Sequence, residues 1–321
     1  MERLKETGLK AGQYTLEKII SLGYNLEIKN GENLDVLNEY SDSPAIVTFN
    51  HLAKDDPFLV YLLLRRFSKE RLLNVEMPIS EEFAQFENYF AYAAAVRVGR
   101  GMAGFDMPEI VQSYRTRIEG ADEESINEAL SKSMHYGKEF AYRMREKLPS
   151  NPLIIISPEG HRSDDGKLLP AEKGVGFLVN LVSRQKKERQ KKDDKQHKAH
   201  VVQVGLVYEN FLGPEIHFLH NKKRAKVNLV VGKPLEVDDL MAQAENLSEF
   251  NKSRHHRISH ILMTKMSNNL PKEMRGFYDD GIREETYKDR FELRTTKEGD
   301  QKVFDKDTNS FIDSVDQVTE R

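Results

Sequence analysis

His51 and Asp56 stand with four residues between them in the stretch NHLAKDDP, residues 50–57. An aspartate at the start of a helix can turn back onto an imidazole that has just left a strand. There it fixes the tautomer, stabilises the imidazolium and leaves the second ring nitrogen as a base. The pair brings no nucleophile of its own, so it would activate a hydroxyl on a bound substrate. The same residues also admit a plainer role, with Asp56 capping a helix and His51 a satisfied strand-end residue. A second stretch, SPEGHRSDDG at 157–166, holds more than a loop needs. Its glycines and aspartates suffice to turn a chain, but Glu159 and Arg162 are not explained by turning. A third, RVGRG, places Arg97 and Arg100 after an apolar run.

The elements that must position these residues follow from periodicity. Ala45 to Phe49 reads as a short strand ending in Asn50-His51, and Leu153-Ile154-Ile155-Ile156 as a buried strand ending at Ser157. Pro57 to Phe67 reads as a helix with Asp56 as its N-cap and Pro57 at the first helical position. Residues 122–147 read as a helix with Ile126, Leu130, Met134, Gly137, Ala141 and Met144 on one face. Further strands are expected at 94–98, 201–208 and 227–231. Further helices are expected at 13–22, from about 171, and as one long polar helix over 238–269. Strands and helices in alternation predict an α/β domain, a mainly parallel or mixed sheet flanked by helices. Such sheets gather functional residues at the carboxyl ends of their strands, where His51 and Glu159 both fall.

In order along the chain, four stretches resemble the sequence blocks of the phospholipid/glycerol acyltransferase family, which includes lysophosphatidic acid and glycerol-3-phosphate acyltransferases. NHLAKDDP resembles the first block, AVRVGRG the second, ISPEGHRS the third and VVQVGLVY the fourth, and VGKPL at 231–235 also follows the pattern. The similarity covers roughly residues 40–235. Ser157, His161, Ala53 and Gln203 depart from the residues usual in those blocks, and 101–121 looks inserted. The resemblance implies a glycerolipid acyltransferase-like fold with His51 as general base and Asp56 as its orienting partner. It implies that Arg100, Glu159, Gly160 and Arg162 serve the phosphate of the acyl acceptor. Glu159 would hold an arginine or an acceptor hydroxyl, since a carboxylate does not bind phosphate directly. Arg97 and Lys173 are further candidates for substrate binding, and a surface lysine at a helix start is an equal reading of Lys173. The resemblance implies a thioester donor on coenzyme A or acyl carrier protein, no further cofactor and no metal. The acceptor would be 1-acylglycerol 3-phosphate or glycerol 3-phosphate. The alternatives are another acceptor, such as a glycolipid or an amine, and an idle lipid- or carrier-binding protein.

Composition sets the remaining bounds. The 321 residues carry a formal net charge of −3, so no global basic signal points to nucleic acid. With no cysteine, disulfides, thiolate metal sites and a cysteine nucleophile are excluded, which suits a reducing cytoplasm. The N-terminus lacks the apolar core of a signal peptide, and no apolar run approaches the ~20 residues of a spanning helix. His256 and His260 have a metal-capable helical spacing but no third ligand nearby in sequence, so a solvated face is expected. The expected organisation is an N-terminal helical segment at 1–30, an acyltransferase domain at 31–278 with insertions at 101–121 and 184–200, and a charged tail at 279–321. In that tail FELR and KVFD could form a hairpin. Residues 184–200 hold eight Lys/Arg against three acids and read as a solvated loop able to meet an anionic membrane surface or an acidic carrier. Deleting that loop should leave the domain folded. A cytoplasmic protein, peripheral on the membrane, is the expectation.

Overall fold

In the computed structural model of the protein, the described residues are 14, 18, 22–67, 72, 74–80, 105–106, 109–110, 137–160, 162–163, 165–193, 197–211, 224–247, 253–279, 291–295, 301–305 and 310–312. Apolar β-formers fill β2 (Ala45–Phe49), β7 (Leu153–Ile156) and β8 (His200–Tyr208), and these lie side by side and parallel, in the order β8, β2, β7. Their sheet runs β1–β9–β8–β2–β7–β3–β5, with β1 at Tyr24–Lys29, β3 at Val75–Glu76, β5 at Phe105–Asp106 and β9 at Ala225–Val231. Strand β9 is antiparallel to β8 and carries β1 parallel beside it, while β10 (Leu235–Glu236) pairs antiparallel with β8. The sheet is therefore mixed, as expected. Two further strands, β4 (Ile79–Ser80) and β6 (Glu109–Ile110), pair in parallel in a sheet of their own.

Alternate residues of the central strands serve two cores. Val47, Ile155 and Val202 face one; Ile46, Ile154 and Val201 face the other. A sheet buried on both faces needs helices on both. After the short α1 (Asp35–Glu39), the first face takes α2 (Asp56–Phe67), in which Phe58 through Leu64 are all buried. Each fully buried leucine there contributes about 1.5–3 kcal/mol. The second face takes α3 (residues 137–147), α4 (Lys173–Asp193), α5 (Val237–Asn246) and α6 (Arg254–Ser267). Helix α3 buries Phe140 and Met144, followed by Leu148, at four-residue steps, while Gly137 is exposed. Of the expected face Met144 is buried, whereas Gly137 and Ala141 are not, and Ile126, Leu130 and Met134 lie outside the described residues. Glu76, on β3, is buried and lies 3.6 Å from Arg143 Nε and 3.5 Å from Lys147 Nζ of α3. Burial raises its carboxyl, against the pull of those two cations.

Three expectations change. The single helix over 238–269 is two helices, α5 and α6, with Ser253 capping the second through its hydroxyl, which accepts from His256 N–H. The basic run from 184 is not a loop: it continues α4 to Asp193. Lysine, arginine and glutamine are good helix formers, and two basic side chains of the run turn inward. Lys186 is buried against Asp238, and Arg189 bonds Asn151 Oδ1 and the carbonyls of Asp42 and Pro149. Deleting 184–200 would also remove His200, which pairs with Ala45 and Glu236. Strand β1 was not expected at all. Of the expected helix at 13–22, Tyr14, Lys18 and Leu22 are described, and all are helical; the strand at 94–98 lies outside the described residues. In the tail, β11 (Phe291–Thr295) and β12 (Gln301–Asp305) form the antiparallel hairpin, joined by β13 (Ser310–Ile312).

Candidate active site

The parallel strands β7 and β2 end level with each other while β8 runs on to Tyr208, and each delivers a side chain or turn to one place. At the end of β2 the ladder to β8 stops at Phe49, paired with Val204. The buried Asn50 then substitutes for one more rung: its Oδ1 accepts from Leu206 N–H at 2.7 Å and its Nδ2 donates to Leu206 O at 3.0 Å. The chain is thus still anchored when it turns to place His51.

Both backbone groups of His51 are gripped by the turn that follows β7. Its N–H donates to Glu159 Oε2 at 2.6 Å, and its C=O accepts from Ser163 N–H at 2.9 Å. Glu159 Oε1 accepts from Leu169 N–H at 2.9 Å, and Ser157 Oγ accepts from Glu159 N–H at 3.2 Å. Glu159 is fully buried. Burial pushes its carboxyl up to about 8, the two N–H donors oppose that, and the charge of Asp56 adds to it. Its two oxygens brace the backbone at 51 and 169. The residue has no exposed surface, and both oxygens of its carboxyl group accept from backbone N–H groups. Gly160 follows at φ 72°, a left-handed turn, and a Cβ there would lie 3.1 Å from Glu172 Cγ. The glycine therefore serves the turn's conformation.

Asp56 is the first helical residue of α2. The carbonyl of Asp55 accepts the helix's first bonds, from Phe58 N–H at 3.0 Å and Leu59 N–H at 3.2 Å, so Asp55 rather than Asp56 holds the capping position. The Asp56 carboxyl is buried and turned back over the loop. Oδ2 lies 3.1 Å from His51 Nδ1 and accepts from the N–H groups of Leu52 and Ala53, the latter at 2.7 Å. Oδ1 accepts from the Tyr208 hydroxyl at 2.6 Å. An aspartate accepting at Oδ2 puts the ring proton on Nδ1 and leaves His51 Nε2 as the lone pair. The His51 side chain is 12% exposed, and its ring stands edge-on to Phe49.

The structure thus brings together His51, Asp56, Glu159, Gly160 and the backbone of Arg162, whose neighbour Ser163 bonds His51. Arg97 and Arg100 lie outside the described residues. Lys173 opens α4, and Glu172 N–H bonds Pro158 O at 2.8 Å, which seats the helix start against the turn. The Lys173 side chain is exposed, and its charge, with those of Arg254 and Arg184, adds to burial in lowering His255 on α6. Sequence reasoning missed Tyr208 and Asn50. Asn50 was visible beside His51, but a tyrosine ending an apolar strand carries no signal of its own. Among the described residues no group of three or more His, Asp or Glu could hold a metal ion. His255 instead meets Asn180, and His260 packs against Tyr278.

Comparison with known proteins bears on this geometry. No curated protein matches the chain. Among solved structures, the 1-acyl-sn-glycerophosphate (LPA) acyltransferase PlsC from Thermotoga maritima is similar over 83% of this chain and 80% of that one, at 14% identity and a TM-score of 0.42. A family model described as Acyltransferase matches residues 25–202, more than half of the chain and a span that runs from β1 through His51 and Arg162 into β8. By that match the chain belongs to the acyltransferase family.

Proposed function

We propose that the protein transfers a fatty acyl group from a thioester to a hydroxyl of a glycerol-phosphate-type acceptor, with His51 as general base and Asp56 as its orienting partner. The observation that carries this reading is the His51 Nδ1–Asp56 Oδ2 contact of 3.1 Å at a convergence of parallel strand ends. His51 Nε2 takes the acceptor's hydroxyl proton as its oxygen attacks the thioester carbonyl. The tetrahedral intermediate collapses with loss of the thiolate, which takes the proton from His51, giving an ester and a free thiol. No acyl-enzyme is needed, in keeping with a chain that has no cysteine. Arg162 and Arg100 meet the acceptor phosphate, which a planar guanidinium can bind with two hydrogen bonds. Glu159 acts at one remove, holding the backbone of His51.

A panel tests this: acyl-coenzyme A and acyl carrier protein thioesters, each with 1-acylglycerol 3-phosphate, glycerol 3-phosphate, a glycolipid and an amine. Product masses should show the acyl chain on one of the two glycerol phosphates. Product only on the glycolipid or amine would move the acceptor assignment, and no thiol release with any acceptor would favour an idle binding protein.

The reading includes attachment to an anionic membrane surface. Arg184, Lys187 and Lys191 are exposed along one face of α4, while Lys186 and Arg189 point inward. Tyr14 and Leu22, each helical, are 55% and 69% exposed. No described helix is long and apolar enough to cross a membrane. At about 1 kcal/mol per basic residue near anionic lipid, three outward cations support reversible, salt-sensitive binding. The protein should co-sediment with anionic but not neutral vesicles and be released by ~0.5 M salt. The triple variant Arg184→Ala/Lys187→Ala/Lys191→Ala should bind less while keeping its Tm. Equal binding to both vesicle types would discard this attachment.

A further inference from the structure

We infer that Tyr208 is a positioning residue for the His51–Asp56 pair, acting as a third member that tunes His51 through Asp56. The inference rests on the proposed role of His51 as base. Tyr208 ends β8, the strand next to β2, so the sheet itself fixes its distance from the loop that follows β2. Its hydroxyl donates to Asp56 Oδ1 at 2.6 Å and lies 3.4 Å from Asp55 Oδ1, so its single proton belongs to Asp56. Asp56 is then held from two sides. Oδ2 takes the loop N–H groups and the imidazole, and Oδ1 takes the phenol. The carboxyl cannot rotate about Cβ–Cγ without breaking one set.

The phenol is buried, and burial, with the neighbouring Asp56 and Asp55, raises it well above its ordinary range, so it stays a donor. A donor on Oδ1 draws charge from the carboxylate that faces the imidazole. Removing that donor leaves more negative charge on Oδ2, which holds the His51 proton more tightly. Among the described residues, the other charged or titratable groups beside the pair are Asp55 and Lys54 in the same loop, and Glu159 and Arg162 on the β7 turn. None changes in the variants below.

The test is the NMR titration of His51 in histidine-labelled protein, with kcat/KM against pH beside it. In Tyr208→Phe, which keeps the ring packed against Phe211, the His51 midpoint should rise by about half a pH unit or more. The acid limb of kcat/KM should move with it, and the plateau should fall by roughly tenfold, the low end for losing one hydrogen bond to a charged group. Replacing Tyr208 with 3-fluorotyrosine keeps the shape and strengthens the donor, so the midpoint should fall. This second variant decides the matter if Tyr208→Phe does not fold. A lowered Tm with an unmoved His51 midpoint would reduce Tyr208 to a packing residue and overturn the inference. The NMR midpoint needs no turnover, so a protein that transfers no acyl group would refute the function while leaving this coupling separately measured.

Discussion

Glu159 and Arg162 sit three residues apart and do different work. The Glu159 carboxyl, pushed up to about 8 from 4.5 by burial, takes up a proton on folding between those values. Its share of stability is fully present below about pH 4.5 and is lost as pH rises through about 8. The slope is at most about 1.4 kcal/mol per pH unit. Glu159→Gln cannot titrate, and it leaves one of the two N–H groups from His51 and Leu169 facing an amide nitrogen. Urea midpoints at pH 5, 6, 7 and 8 should therefore show a lower starting stability and a shallower decline than the wild type. A variant that declines as steeply as the wild type would place Glu159 among ordinary exposed carboxylates. Arg162→Lys keeps charge but loses the planar fork, so the acceptor KM should rise several-fold while the donor KM holds. A change confined to the donor KM would assign Arg162 to the thioester carrier. The oddity of Glu159 and Arg162 was legible in the sequence, but the role of Glu159 was not, because its partners are backbone groups at 51 and 169 that only the fold brings near.

At the scale of elements, the seating of α6 on α4 depends on Gly176. A Cβ there would lie 1.9 Å from the His255 carbonyl oxygen, and Gly176 N–H bonds Ser259 Oγ at 3.0 Å. Gly→Ala inside a helix ordinarily stabilises by ~1 kcal/mol, but here backbone must move, and overpacking costs about 1–3 kcal/mol. Gly176→Ala should therefore lower Tm, whereas Gly174→Ala, with open space around it, should not. A raised Tm in Gly176→Ala would mean that the two helices are not packed this closely. Strand β1 did carry a signal, Tyr24, Leu26 and Ile28 alternating with polar residues, but one that is short and charged. The basic half of α4 offered no apolar stripe to read, since Lys186 and Arg189 are held by Asp238 and Asn151, groups distant in sequence. The break between α5 and α6 was marked only by Ser253, one cap among many polar residues.

Across the whole molecule, the site exists because β8, β2 and β7 lie side by side and parallel, so that the turns after β2 and β7 meet the far end of β8. Order along the chain set out the stretches at 50–57, 157–166 and 201–208. The sheet order β8–β2–β7 is what makes neighbours of them, and no local pattern encodes that order. What could be read in advance was therefore the pair His51 and Asp56, close in sequence and in space. What could not was Tyr208, which joins them from 152 residues away. The central claim, that His51 is the base for acyl transfer, is tested most directly by thiol release from an acyl thioester in the presence of glycerol-phosphate acceptors, wild type against His51→Ala. His51 lies in the loop after β2 and is held by its backbone, which alanine retains, so the variant should keep the wild-type Tm and circular dichroism. Its kcat should fall by about 10²–10⁴-fold, the usual contribution of a general base. A folded His51→Ala protein turning over at close to the wild-type rate would contradict the account.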